Sequence, residues 1–383
     1  MTLSPHRSVA VIFLRLLSRM AVCGALILFP VFFHQTPAFA ANEKTVEPIP
    51  RKHPSLETSL AGRRYSATRA FSRTIPENDA IFVAEAVARS DAMQSVVRYL
   101  ITLPEVRIAA STTPSPIKSP NLLALAHATV KTSLLLVSKS RKDSTVTVTI
   151  SLEDNGGSPP LELRVREALV HPDRLDLYEK TVLREQALIE AFDALSPVLA
   201  KRGKTAGNLS GTRPGASPEE AIQDIVKELK ALAIFKDQLP SRNGLWKDPA
   251  TIRDTMRQAL LLAPKSALCH NAKGDALLQL GRSREAMDEQ TLAVRADPLF
   301  SRAYHSRGAA ALALGHLSSA VADFSEAIRL SPNTGAYHRA RGMANHLLGE
   351  TVAMCRDLQA ACSFGHCEEL QWATANHLCP AKQ

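Results

Sequence analysis

Between residues 76 and 103 the apolar positions Ile81, Ala84, Ala88, Met93, Val96, Val97 and Leu100 return at helical spacing. This predicts an amphipathic helix that needs a partner surface. From Thr145 to Glu153 the period changes to two: Val146, Val148, Ile150 and Leu152 alternate with Thr145, Thr147, Thr149 and Ser151, as in a half-buried strand. Residues 128–138 read as a second strand, and the short polar "KSRKDS" between the two predicts an antiparallel hairpin whose apolar face covers the helix. Residues 74–155 are therefore expected to form a small α+β domain. Farther on, Leu175, Tyr178, Val182, Ile189, Phe192 and Leu195 mark a long helix, expected to end at Pro197 and to serve as a spacer or a packing helix within 156–200. Residues 201–216, rich in Gly, Ser, Thr and Lys, read as a linker. Ser217 as N-cap, Pro218 at the first helical position and Glu220 three after the cap make a capping box, so a new helix starts there.

Beyond residue 250 the spacing itself repeats. Pro264, Pro298 and Pro332 are 34 residues apart, as are Ala259, Ala293, Ala327 and Ala361; Gly274, Gly308 and Gly342; and Gly281, Gly315 and Gly349. Small residues held at a fixed step imply helices that cross close to one another, unit after unit. The central unit carries Tyr304, Gly308, Ala311, Gly315, Ala320, Phe324, Ala327 and Pro332. The unit before it keeps Gly274, Gly281, Ala286, Ala293 and Pro298 and has Gln290 where Phe324 would fall. The unit after it keeps Gly342, Gly349 and Ala361, with Leu358 in that slot and Met354 in place of alanine. On these residues the segment 267–361 resembles tetratricopeptide repeats, helix-turn-helix units that stack into a superhelix. The resemblance implies units at 267–300, 301–334 and 335–365, with a degenerate helix pair at 217–266 in which Ile252, Met256, Ala259 and Pro264 fit a second helix. The expected fold is mainly α, a solenoid preceded by the small α+β domain. That domain in turn resembles the N-terminal α+β domains of flagellar assembly protein T and related bacterial envelope proteins, without a diagnostic motif.

The resemblance also implies a groove lined by the first helix of each unit. One stripe on that helix reads Leu268, Asn271, Asp275, Leu278, then Arg302, His305, Ala309, Leu312, then Ala336, Arg339, Met343, His346. The implied peptide-binding residues are Asn271, Arg302, His305, Arg339, Met343 and His346. Arginine holds carboxylates in a forked geometry, so a partner segment with an acidic side chain or a C-terminal carboxylate is expected. Solvated arginines lining an empty groove stand as the other reading.

Composition changes this picture in two places. The 383 residues, 45% hydrophobic and 22% charged, are those of a folded chain with more than one domain. Residues 1–40 differ from the rest: they hold no Asp, Glu or Lys, carry Arg7, Arg15 and Arg19, run apolar from Ala21 to Phe33 and end in Ala38-Phe39-Ala40. This is the make-up of a signal peptide cleaved after Ala40, which places the protein in the periplasm or outside the cell. An uncleaved anchor in the inner membrane, facing the periplasm, is the alternative, and membrane contact is expected only through that segment. Cleavage removes three arginines and no acids, so the net charge of +9 becomes +6. That balance implies no nucleic-acid surface. Residues 41–73, with scattered prolines and charges, read as a flexible lead-in.

The second place is the C-terminus, where Cys355, Cys362, Cys367 and Cys379 fall within the last thirty residues. In an oxidising compartment they read as disulfides. Two antiparallel helices joined by "SFGH" favour the nested pairing Cys362 with Cys367 and Cys355 with Cys379, clamping a capping helix over 366–383. His366 and His377 among these thiols keep a metal site open as an alternative. Cys269 reads as a buried small hydrophobe. No nucleophile elbow, metalloprotease helix, phosphate loop or dinucleotide motif is present, so neither an enzyme nor a cofactor is expected. Two functional classes follow. One is an exported adaptor that binds a protein or peptide through the repeat groove; the other is an assembly component of an envelope machine acting through the α+β domain.

Overall fold

The computed structural model describes residues 63–103, 133–153, 175–200, 217–238 and 246–380, apart from short breaks, together with a few isolated positions. The signal segment, most of the lead-in, the loop at 111–120 and the linker at 201–216 lie outside the described residues.

Strand β1 (Arg64–Ala70) precedes helix α1 (Glu77–Leu100), and β2 (Ser133–Lys142) and β3 (Thr145–Glu153) follow. The predicted helix and hairpin are present, but the sheet has three strands in the order β1-β3-β2, all antiparallel. Residues 64–70, read from sequence as the end of a flexible lead-in, are in fact a strand. Tyr65 and Ala67 stand opposite Ile150 and Val148, so β1 completes the apolar face that covers α1. On the other face the hydroxyls pair across strands, Ser66 with Thr149 and Thr68 with Thr147, each at 2.7 Å. The anticipated alternation holds in β3, where Val146, Val148 and Ile150 are buried. The β2 strand begins and ends later than 128–138, running to Lys142 so that only a tight turn separates it from Thr145. Its register shifts between Leu136 and Ser138, a bulge that adds twist.

Helix α2 (Leu175–Ala200) does not end at Pro197. The proline falls in the last turn, where it removes one backbone donor and the few remaining residues keep helical geometry. Nor is α2 a spacer. It packs on α3 (Pro218–Asp237), and the two are tied by Arg184 gripping both carboxylate oxygens of Glu228 at 2.7 and 2.8 Å and by Lys236 on Glu185 at 2.8 Å. Lys230 of α3 reaches Asp79 of α1 at 2.6 Å, and Arg69 of β1 reaches Asp193 of α2 at 2.8 Å. One apolar core runs from Ile75 and Val146 through Phe192 and Phe235 to Met256 and Phe300, so the sheet and the helical half share an interior.

The capping box at Ser217 forms as expected. Its hydroxyl accepts from the Glu220 amide at 3.2 Å, and the Glu220 carboxylate accepts from the Ser217 amide at 3.1 Å. Helix α4 (Pro249–Leu262) then opens a run of three helical hairpins: α5 (Ala267–Gln279) with α6 (Ser283–Ala296), α7 (Ser301–Ala313) with α8 (Leu317–Leu330), and α9 (Gly335–Leu348) with α10 (Thr351–Ser363). Each hairpin turns on a glycine at φ near +80°, Gly281, Gly315 and Gly349, a conformation that other residues adopt only with strain. Each hairpin also closes at one tight contact between residues sixteen apart in sequence. A Cβ on Gly274 would stand 2.5 Å from the Gln290 side chain, one on Gly308 2.8 Å from Phe324, and one on Gly342 3.0 Å from Leu358. The glycines at 274, 308 and 342 are therefore explained by the residue in the aromatic slot. The chain ends in α11 (Glu368–Ala375). No helix among the described residues is long and apolar enough to cross a membrane.

Candidate functional site: the inner face of the repeat

The six predicted groove residues do not share one environment. Asn271 is 1% exposed and is withdrawn from any ligand. The cause is Gln290 in the aromatic slot: its amide carbonyl accepts from Asn271 at 2.8 Å, and its amide nitrogen donates to the Asn271 carbonyl and to Asp275, each at 3.0 Å. A polar side chain in a slot built for a ring must find partners, and the stripe of its own hairpin supplies them. Asp275, Leu268 and Leu278 are buried too, so the inner face of the first hairpin is closed. Asn271 is corrected accordingly from groove contact to buried bridge.

The accessible stripe begins at Arg302 and continues through His305, Arg339, Met343 and His346, all half-buried. Both arginines are paired. Arg302 donates to Asp275 of the preceding hairpin at 3.1 Å, and Arg339 donates through one nitrogen to Glu369 of α11 at 3.4 Å. The centre of the stripe is an imidazole. The His305 ring stacks on Tyr337 at 5.0 Å between centroids and tilts against Phe324 at 5.5 Å. Burial, then the charges of Arg302 and Arg339, push its pKa down to about 3. His346 lies edge-on to Trp372 at 5.3 Å, and burial lowers its pKa as well. The stripe thus offers two arginines flanking a neutral, stacked ring.

The His305 environment makes stability depend on acid. The folded pKa lies below the ordinary value of 6.5, so the unfolded chain binds a proton that the folded chain refuses. The contribution is complete above pH 6.5 and is lost as the pH falls from 6.5 towards 3. The limiting slope is about 1.4 kcal/mol per pH unit, and for a half-buried ring about 1 kcal/mol between about pH 6.5 and about pH 5.5 is expected. His305→Phe keeps the stack and removes the proton, so urea midpoints of the variant should change less over that interval than those of the parent chain. Equal changes would show that His305 does not titrate this way.

A second regularity was open to sequence reasoning and was missed. Lys273 with Glu289, Arg307 with Asp323 and Arg341 with Asp357 are ion pairs sixteen residues apart, repeated at the 34-residue step. The two arginines grip their partners with two nitrogens each, at 2.6 and 2.9 Å in one pair and 2.7 and 2.9 Å in the other. Burial alone would raise the Glu289 pKa, but hydrogen bonds from His270 and Lys273 outweigh it and hold the carboxyl below its ordinary value. These pairs join the two helices of one hairpin, whereas Arg302 reaches back to the preceding hairpin and Arg339 forward to α11. The signal was a cation at one position and an acid sixteen later in all three units.

The cysteines pair as the nested arrangement required. Cys362–Cys367 (Cα–Cα 4.1 Å) and Cys355–Cys379 (Cα–Cα 5.5 Å) join α10 to α11, which takes these thiols out of the metal reading. Among the described residues there is no cluster of three or more metal-ligating side chains. Cys269 is free and buried, and burial raises its pKa to about 11.

Helical hairpins stacked at a 34-residue step define a repeat scaffold. The tetratricopeptide repeat family matches at residues 267–298 and 301–334, so this part of the chain consists of tetratricopeptide repeats, modules typically used to bind proteins rather than to catalyse. No curated protein matches the chain. Solved structures that resemble it in part include the following. "MamA RS-1 ArsTM double mutant" is 20% identical over 48% of this chain and 95% of its own, at a TM-score of 0.32. "MamA MSR-1 C2" is 16% identical over 50% of this chain and 96% of its own, at a TM-score of 0.30. At such TM-scores these likenesses carry no conclusion about this chain.

Proposed function

We propose that the protein is an exported scaffold that holds a protein or peptide partner along the stripe formed by Arg302, His305, Arg339, Met343 and His346. The observation that carries the reading is the contrast between the two sets of arginines. Arg307 and Arg341 are locked two-pronged within their hairpins, while Arg339 meets Glu369 through one nitrogen at 3.4 Å. A single long contact is readily exchanged for a better carboxylate, so an acidic side chain or a chain terminus on the partner fits Arg339 best, with the apolar part of the segment against Met343 and the face of His305. Residues 1–40 support export, with cleavage after Ala40, and the paired cysteines agree with an oxidising compartment.

The test uses the full chain, because the core shared with α2 and the sheet makes the repeat half an unsuitable fragment. Arg339→Ala combined with Met343→Ala should reduce crosslinked partner recovered from native cells about tenfold or more, as read by mass spectrometry, while the melting temperature stays within a few degrees. Recovery equal to that of the parent chain would overturn the groove assignment. Fractionation and N-terminal sequencing should find a mature chain beginning at Ala41.

A further inference from the structure

Helix α11 stands where the first helix of another repeat would begin, since Glu369 lies 34 residues beyond Gly335. It is only eight residues long, and both of its flanks are tied to α10, by Cys362–Cys367 before it and Cys355–Cys379 after it. Its inward side chains touch the accessible stripe itself: the buried Glu369 carboxylate accepts from Arg339, and Trp372 meets His346. Behind them lies a small separate core that includes Met354, Leu358 and Ala373.

We propose that α11, standing as the next first helix of the stack, closes the end of the groove at Arg339, held in place by its disulfides and released by a dithiol reductant. This rests on the groove reading above. In the oxidised chain Glu369 takes the position on Arg339 that the reading gives to a partner's carboxylate. The two bridges differ in access: Cys355 and Cys379 are buried, whereas Cys362 and Cys367 are half-buried at the turn. A thiolate of the reductant attacks one sulfur of Cys362–Cys367, forming a mixed disulfide and expelling the other cysteine as a thiolate, which takes up a proton. The reductant's second thiol then closes its own disulfide and frees the first cysteine, so two electrons pass from reductant to bridge. Cys367 is the N-cap of α11 and Glu369 follows two residues later. Opening this bridge therefore frees the end of the helix that covers Arg339. An eight-residue helix has little stability of its own once untied.

The test needs no partner, so its failure is distinguishable from failure of the groove reading. Phenylglyoxal modification of the full chain is followed by mass spectrometry at Arg339, with Arg341, locked to Asp357, as internal reference. Dithiothreitol, or the replacement Cys362→Ser with Cys367→Ser, should raise the modification rate at Arg339 about fivefold and leave Arg341 unchanged. Glu369→Gln should raise it without reduction. The proposal is overturned if Arg339 stays slow after alkylation shows Cys362 and Cys367 to be free thiols, or if Glu369→Gln leaves it slow. It is equally overturned if Arg339 and Arg341 accelerate together, because the bridges would then clamp the last hairpin as a whole.

Discussion

Phe324→Ala is expected to lower the unfolding free energy by about 3–5 kcal/mol, among the largest effects of any single change in the repeat. The ring is 1% exposed and fills the space between α7 and α8, with Gly308 under it and His305 beside it. The contact with Gly308 makes the prediction specific. A Cβ on Gly308 would meet Phe324 Cε1 at 2.8 Å and Cδ1 at 2.9 Å, and a buried ring has nowhere to move. Gly308→Ala alone should therefore cost about 1–3 kcal/mol despite the better helix propensity of alanine. Once Phe324 is alanine only the Ala320 carbonyl oxygen, 3.2 Å from the added Cβ, still crowds the site, and the same change should cost less than it does beside the ring, by about 1 kcal/mol or more. Urea denaturation of the four chains completes the cycle. Costs that add to within about 0.5 kcal/mol would show that the two residues do not share the contact.

This pair also shows what was legible in the chain. The period of 34 placed Gly308 and Phe324 in register, and the same period put Cys362 and Cys367 on either side of a turn, so hairpins and bridges were readable without coordinates. Strand β1 was not, because Arg64–Ala70 mixes charge and hydroxyl with only Tyr65, Ala67 and Ala70 as apolar signals, and its partner lies about eighty residues away. The partners of α2 were hidden for the same reason: Lys180 pairs with Asp297 at 2.6 Å and stands over the Phe300 ring, contacts that no local pattern announces. In the candidate site, helical spacing identified the stripe but not its occupancy. Gln290 was visible as a departure from the aromatic slot, yet its consequence, the burial of Asn271, depends on two helices meeting face to face. Likewise the arginines were found, but Asp275 and Glu369 reach them from neighbouring elements.

The last hairpin should respond unequally to losing either half of its ion pair. Arg341 donates to both oxygens of Asp357 at 2.7 and 2.9 Å, and Asn345 donates to the same carboxylate at 3.1 Å. The side chains differ in depth, 5% exposed for Asp357 and 25% for Arg341. Arg341→Ala leaves a carboxylate in the interior with one amide for company, and about 3 kcal/mol should be lost. Asp357→Ala leaves a guanidinium that can still reach the Ser325 hydroxyl, now 3.1 Å away, and water. About 1–2 kcal/mol is then expected, much of it from the stranded Asn345 amide. Replacing both, Arg341→Met with Asp357→Leu, removes the buried charge along with its partner and should cost less than Arg341→Ala alone. Chemical denaturation of the three variants orders them directly. If Asp357→Ala proved the more damaging, the depth of the carboxylate would not be what sets the cost, and the sixteen-residue pairs would have to act through the arginine's packing instead.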